Sequence, residues 1–536
     1  MAHLLDTATL PLLLAAGGGH VPDVALYWAL PFALLLLSIA TMPLINAHFW
    51  HKYYPHVSFV LGTITAVYYL FFYTQAGVES AEALSMSRSA WLHEMQEYVS
   101  FIALLGSLYI VSGGIKIDVR RKATPMTNAA VLLIGAVIAN VVGTTGAAML
   151  LIRPYIRINK DHIRPYHIIF FIFLVANCGG CLTPIGDPPL FMGYLKGVPF
   201  FWVLLNCWPM WALACILVLA IFYVVDTINA KKATRNAPPD AGEGPAISIT
   251  GIPNFLFIGL ILFAVFQESM FHAGLSIHLL WSREILMGAA IIGSKLITKA
   301  KIYLDNEFTY EPIREVALLF VGIFSTMVPA LNWLNHNSDK MPLNSAGQYY
   351  FVTGSLSAVL DNAPTYLVFL ATKQGNIQQH HEAELGAVRF VADKVAKGES
   401  ATDEQITAYL KEHHAEADVD LKVAVEEIRG AVDMLDKYYH DAVMAGTLTD
   451  NQINLAFLIG HSLMALYLVA ISVGAVFFGA MTYIGNGPNF MVKSIAESAK
   501  INMPSFFGYV VRYSLPILLP TYLVVWVIFF VLKIGV

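Results

Sequence analysis

Charge is what this chain has least of. Only 13% of its 536 residues are Asp, Glu, Lys or Arg, about half the roughly 25% of a soluble domain. Hydrophobic residues make up 57%, and the mean hydropathy is +0.62. A water-soluble fold is excluded, because many apolar runs reach the roughly 17–25 residues that cross a bilayer. The lipid bilayer is therefore the first partner implied, and no nucleic-acid partner is expected. Cysteine is scarce as well. Cys178, Cys181, Cys207 and Cys215 all lie in apolar segments, which argues against a disulfide framework. A basic n-region is missing from the first 20 residues, whose apolar run Leu10–Ala16 is too short to span, so a signal peptide has weak support.

What is present is organised around ten residues, Leu182-Thr183-Pro184-Ile185-Gly186-Asp187-Pro188-Pro189-Leu190-Phe191. They interrupt an apolar segment running from about Ile168 to Gly193. Proline has no N–H and clashes with the preceding turn, so a helix cannot pass through them. A carboxylate inside such a break is costly in a membrane and marks a functional site by default. The pattern returns 299 positions later as Met481-Thr482-Tyr483-Ile484-Gly485-Asn486-Gly487-Pro488-Asn489-Phe490, with Asn486 in the place of Asp187. Two broken apolar segments at matching places in two halves point to a secondary transporter with internal repeats.

In chain order, an N-terminal segment (residues 1–25) precedes a first membrane repeat (26–228) with spans Leu26–Ile45, Val57–Tyr73 and Val99–Ile115. The apolar stretch Asn128–Ile152 follows. Lys116, Arg120, Arg121 and Lys122 lie before it, and Arg153, Arg157, Lys160 and Arg164 after it. Basic loops stay cytoplasmic, so the stretch reads as a re-entrant hairpin with its tip near Asn140–Gly146. The broken span and Trp202–Val225 complete this half. A cytoplasmic linker (229–251) leads to the second repeat (252–372 and 453–536), with spans Phe255–Met270, Leu279–Ile297 and Val316–Leu331. A second hairpin, Tyr349–Ala371, has its tip at Leu360–Thr365; the second break and Val510–Val531 follow. Short loops assigned inside hold 17 Lys and Arg against five outside. The expectation is an all-α polytopic membrane protein with about ten spans, two hairpins and two inverted repeats.

Residues 373–452 differ. They are polar, with a capping box at Thr402 and Gln405 and helical apolar spacing from Leu421 to Leu435. The hairpin tip and the break are 43 residues apart in the first half (Thr144 to Asp187) and 124 in the second (Asn362 to Asn486). The excess of 81 matches this segment, read as an extramembrane helical insertion. Its His380-His381 and His413-His414 pairs read as solvated surface rather than metal ligands, because adjacent histidines on a helix point apart.

The two tips and two breaks form the candidate site: Thr144, Thr145, Thr183, Gly186, Asp187, Asp361, Asn362, Thr365, Thr482 and Asn486. Carboxylates, hydroxyls, amides and unwound carbonyls are the oxygen ligands a hard cation such as Na⁺ takes. No resident cofactor or metal is expected beyond Na⁺ and H⁺ as transported or coupling ions. Cys178-Gly-Gly-Cys181 has redox spacing but lies in an apolar half-helix, where small residues serve close packing; no enzyme activity is expected. Arg314 and Glu315 read as capping or snorkelling groups at span ends, and His461 as a group that titrates near neutrality.

At these residues the chain resembles the ion transporter superfamily. Gly143-Thr-Thr-Gly-Ala-Ala-Met-Leu-Leu-Ile-Arg-Pro154 and Gly179-Gly-Cys-Leu-Thr-Pro-Ile-Gly-Asp-Pro-Pro-Leu190 look like motifs of NhaD-type sodium/proton antiporters and of a related citrate-transporter family. The resemblance covers about residues 26–372 and 453–532, not the insertion. It implies sodium sites near the hairpin tips, elevator-type movement and often a homodimer. Carboxylate symporters of the superfamily carry Ser-Asn-Thr at each tip, whereas this chain has Gly143-Thr144-Thr145 and Asp361-Asn362-Ala363. The leading expectation is Na⁺/H⁺ antiport through Asp187 and Asp361. The alternative is Na⁺- or H⁺-coupled transport of citrate or another carboxylate. The expected location is the inner (plasma) membrane, with residues 373–452 outside the cytoplasm.

Overall fold

The structure is a computed structural model that describes residues 22–119, 123–160, 162–232, 247–270, 282–306, 308–413 and 420–534. Residues 1–21 of the N-terminal segment, Arg120–Lys122, most of the linker, the start of the Leu279 span and His414 lie outside the described residues. The described chain is almost entirely helical. Eight helices among these residues are long and apolar enough to cross a membrane, and the protein is an integral multi-pass membrane protein.

The first half comprises α1 (Leu30–Ile45), α2 (Ala47–Val67), α3 (Ser80–Gly113), β1 (Lys116–Val119), α4 (Pro125–Ile158), α5 (Pro165–Leu174), α6 (Pro188–Leu195) and α7 (Phe200–Lys232). After β2 (Ile247–Thr250), the second half has α8 (Asn254–Met270), α9 (Ser282–Ile297), α10 (Glu311–Asn337), α11 (Ala346–Val359) and α12 (Asn362–His380). Four helices then intervene: α13 (Glu382–Ala396), α14 (Asp403–Glu412), α15 (Leu421–Ala445) and α16 (Asp450–Gly460). The half closes with α17 (Ser462–Phe478), α18 (Gly487–Ser498) and a C-terminal helical segment, Phe506–Val531.

The stretch α4 has 34 residues, which as a straight helix would measure about 50 Å. Its ends meet instead. Asn128 Nδ2 donates to Asn159 Oδ1 at 2.9 Å, and Asn159 Nδ2 donates back at 2.8 Å. The chain reverses at Gly143, where φ is +77° and ψ 156°, a conformation essentially reserved for glycine. The hairpin expected from the flanking charges is therefore formed. The second hairpin is α11–α12, whose arms touch through Tyr349 and Phe369, ring centroids 6.2 Å apart.

The two hairpins open at opposite ends. The base of the first lies beside the C-terminal end of α3: Arg157 pairs with Asp118 of β1 at 2.9 Å, and β1 follows α3 and pairs antiparallel with β2. The base of the second leads into α13–α16, which touch the turn after α6 at Lys196. Lys196 pairs with Glu94 and Glu97 of α3. From Glu94 to Gly113 is about 30 Å along a helix, one hydrocarbon thickness.

Packing between the halves is reciprocal. The second helix of the first half, α2, packs on α10, the third of the second; its counterpart α9 packs on α3. Likewise α1 packs on α10 and α8 on α3, while α6 packs on α12 and α18 on α4. Such exchange is what an internal two-fold produces between inverted repeats.

One boundary moves. The first break begins at Val175 rather than Leu182, so Cys178-Gly-Gly-Cys181 sits in a 3₁₀ turn of the unwound stretch, not in a half-helix. Close packing causes this. A Cβ on Gly180 would lie 2.7 Å from the Gly186 carbonyl oxygen. All four cysteines are buried and unpaired by disulfides.

Impermeant maleimide should label Met126→Cys and Lys160→Cys from the same face of the membrane, and Ser400→Cys from the other. The buried native thiols leave a low background. Labelling of the first two from opposite faces would remove the hairpin and the inverted repeat together.

Candidate functional site

Both breaks end at helix N-termini, as their prolines require. Pro188 and Pro189 occupy the first positions of α6, where the missing N–H costs nothing. Pro188 faces Gly487 across the repeat, and Pro189 matches Pro488 in α18. Asp187, Asn486 and Asp361 are the N-cap residues of α6, α18 and α12. Three helix N-termini thus converge, and each favours negative charge.

Asp187 is the centre, 1% exposed. Its Oδ1 accepts from the Thr144 hydroxyl at 2.7 Å and from Asn486 Nδ2 at 2.9 Å. Its Oδ2 accepts from Asn362 Nδ2 at 2.7 Å. One donor comes from the first hairpin, one from the second and one from the opposite break. Hydrogen bonds to a charged group contribute about 1.5–3 kcal/mol each, and here they stand in for a missing base. Asn362 is fully buried, yet its Oδ1 has no hydrogen-bond partner among the described residues. A buried acceptor left in this way costs about 1–3 kcal/mol.

The remaining expected residues hold the site together or flank it. The Thr183 hydroxyl donates to the Asn140 carbonyl at 2.6 Å and accepts from Gly186 N–H. Thr482 repeats this on Ala358 at 2.6 Å and Gly485 N–H. Each clips its break to the tip of its own hairpin. The Gly186 carbonyl accepts from Thr144 N–H at 2.8 Å. Thr365 donates to the Asp361 carbonyl at 2.9 Å. Asp361 is half-buried and its carboxylate accepts from Ala363 N–H at 3.1 Å. Thr145, also half-buried, lines a small recess with Tyr109, Gly143, Thr144, Ile185 and Pro188.

The sequence reading missed a second layer of amides. Asn177 donates to Asn489 Oδ1 at 2.6 Å and accepts from Asn486 Nδ2 at 3.2 Å. Asn489 donates to the carbonyls of Gly479 and Thr482. Asn140 bonds the Gly179 carbonyl and Leu182 N–H. A signal for Asn489 existed: it replaces Leu190 in the repeated ten residues. Asn177, a polar residue inside an apolar run, was open to the same reading as Asp187. Also missed was the base of the first hairpin, where Asp226 of α7 accepts from Tyr166 at 2.6 Å and Asn128 at 3.0 Å. His167 lies 3.1 Å from the same carboxylate.

Two inverted repeats whose broken helices and hairpin tips close on one buried carboxylate define a membrane transporter. The chain belongs to the family described as "Putative citrate transport", which matches residues 21–530. No curated protein matches it.

Thr144→Val keeps the side-chain shape but removes a donor to Asp187. Thermal unfolding of the purified protein should show a loss of about 1.5–3 kcal/mol. Gly143→Ala should cost about 1–3 kcal/mol through its backbone conformation. Unchanged stability in both variants would mean that the tip is not held as described.

Proposed function

We propose that the protein is a cation-coupled secondary transporter, and that Na⁺/H⁺ antiport at Asp187 is its activity. The observation that carries this reading is the Oδ1 of Asn362, unpaired among the described residues, beside a buried carboxylate with no base among them as partner. An acceptor oxygen, a carboxylate and unwound carbonyls make an oxygen set for a hard cation. Asp187 is the exchanging group: Na⁺ and H⁺ compete for it, so one leaves as the other binds. Asn362, Thr144 and Asn486 turn an oxygen toward the ion when it displaces their hydrogen bonds. Sequence alone names both Asp187 and Asp361; the geometry favours Asp187, with Asp361 a second, half-buried carboxylate one residue before Asn362. Thr145, Gly186 and Thr365 line the route, while Thr183 and Thr482 hold breaks to tips.

The second reading is Na⁺- or H⁺-coupled uptake of citrate or a similar carboxylate. The family description favours it, and so does the convergence of three helix N-termini, which attract anions. Under either reading the protein lies in the inner (plasma) membrane, with α13–α16 outside the cytoplasm, as the 17-to-five bias of basic residues supports. A homodimer is part of the proposal on the resemblance alone.

Purified protein in liposomes with an entrapped pH dye separates the readings. Addition of Na⁺ or Li⁺ should move protons, and K⁺ should not. Asp187→Asn should abolish the exchange, and Asp361→Asn should weaken it. Exchange should fall as the medium is acidified, because the protonated carboxyl no longer holds the cation. Na⁺-driven citrate uptake without proton counter-movement would replace antiport by the second reading.

A further inference from the structure

The helices α13–α16 join the membrane part through two single residues, and both are histidines. His381 is at once the C-cap of α12 and the N-cap of α13, with φ −129° and ψ 34°. His461 is the C-cap of α16 and the N-cap of α17, with φ −118° and ψ 130°. The spacing of 80 residues between them matches the 81-residue excess of the second half. Each joint faces a glutamate of the insertion. His381 Nδ1 lies 3.8 Å from Glu384 of α13, and His461 Nε2 lies 3.7 Å from Glu427 of α15. These are ion-pair distances, too long for hydrogen bonds. Among the described residues, the Nδ1 atoms of both rings are buried without a hydrogen-bond partner.

The charged groups facing Glu427 are His461, His381, Glu384 and Glu426. Two histidines therefore sit among three carboxylates at one junction. Burial pushes the Glu427 carboxyl up from its ordinary value, against the pull of His461. Burial also acts to raise Glu384, but the nearby His381 ring and its own backbone amide outweigh this and hold it low. His381 further packs on Phe457 of α16, ring centroids 5.1 Å apart.

The insertion reaches three of the four elements that build the Asp187 site. It continues α12, which begins with Asn362, and it precedes α17, which leads to Asn486. It also grips the turn after α6, the helix that Asp187 caps. Tyr439 donates to the Gly197 carbonyl at 2.7 Å, and Asn451 to the Lys196 carbonyl at 2.8 Å. Gln374 of α12 donates to the same Asn451 at 2.7 Å.

We propose that α13–α16 form a pH-sensitive clamp, closed when His381 and His461 are protonated, that restrains the relative movement of α6, α12 and α17. In acid each imidazolium carries two N–H donors and draws its glutamate into a charge-assisted hydrogen bond. As pH rises the histidines lose that charge, the pairs relax and the joints loosen. The sign follows from the group involved: a histidine paired with a carboxylate contributes its stabilisation below its titration and loses it above.

The test is independent of which ion is carried. Spin labels at Ser400→Cys in the insertion and Pro342→Cys between α10 and α11 report the distance across the joint in the full-length protein. The distribution should be narrow in acid and broaden in alkali, as the histidines lose their charge. In His381→Gln/His461→Gln it should stay broad at every pH. Glu384→Gln/Glu427→Gln, which leaves both histidines in place, should abolish the narrowing as well. A distribution independent of pH in the parent protein would overturn the proposal. So would the same pH-dependent narrowing in the double histidine variant. Circular dichroism on each variant separates a loosened joint from an unfolded insertion.

Discussion

A buried carboxylate with no base beside it among the described residues has to be satisfied by neutral donors, and the arrangement at the centre of this protein follows from that need. Asp187 draws its three donors from three different elements. No local segment could supply them. The hairpins must reach the midplane from opposite ends, and the two breaks must meet there. The inverted repeat is thus the geometry that brings four chain reversals to one point. The amides Asn177 and Asn489 then fix the orientation of Asn486 from behind. Irregular backbone at such depth is tolerated because its polar groups bond to one another.

The same polar closure explains what holds each hairpin to its break. Thr183 and Thr482 make one hydrogen bond each to a hairpin carbonyl, with the same partners under the two-fold. The sequence spacing shows the correspondence: Asn140 and Ala358 are 218 apart, as are Thr144 and Asn362, while Thr183 and Thr482 are 299 apart. The difference of 81 between the two offsets is the insertion. Tip and break therefore behave as one unit in each half, although 43 residues separate them in one and 124 in the other.

Much of this was legible in the sequence because membranes leave the backbone few options. Proline and glycine inside an apolar run can only mean a break, and basic flanks on both sides of α4 can only be reconciled by a reversal. Charge and spacing therefore located both hairpins and both breaks. They did not locate the start of the first break, because Val175 and Ala176 look helical and the unwinding there is imposed by packing at Gly180. Nor did they rank the site residues. Thr144, Thr183 and Thr482 are chemically alike in sequence; only distance reveals that the first faces Asp187 while the others bind carbonyls. Asn177 and Asn489 carried a signal in the sequence but not their partners, since an amide in an apolar run announces a partner without naming it.

The repeats are alike in the order of their elements and asymmetric in charge. Asp187 corresponds to Asn486, and Asp361 corresponds to Gly143. Each half contributes one aspartate, at the break in the first and at the tip in the second. The asymmetry is forced at the break. Asn486 Nδ2 lies 2.9 Å from Asp187 Oδ1; an aspartate in its place would set two carboxylate oxygens in contact. Two like charges at that distance cannot both ionise, so one would be held by a proton and lost to exchange. The tip is constrained in the other direction. Position 143 needs a positive φ, which only glycine adopts without strain, so the first hairpin has no room for a counterpart to Asp361. The repeat supplies the frame, and the two positions where the halves cannot be alike decide which carboxylate is enclosed and which stays half-buried.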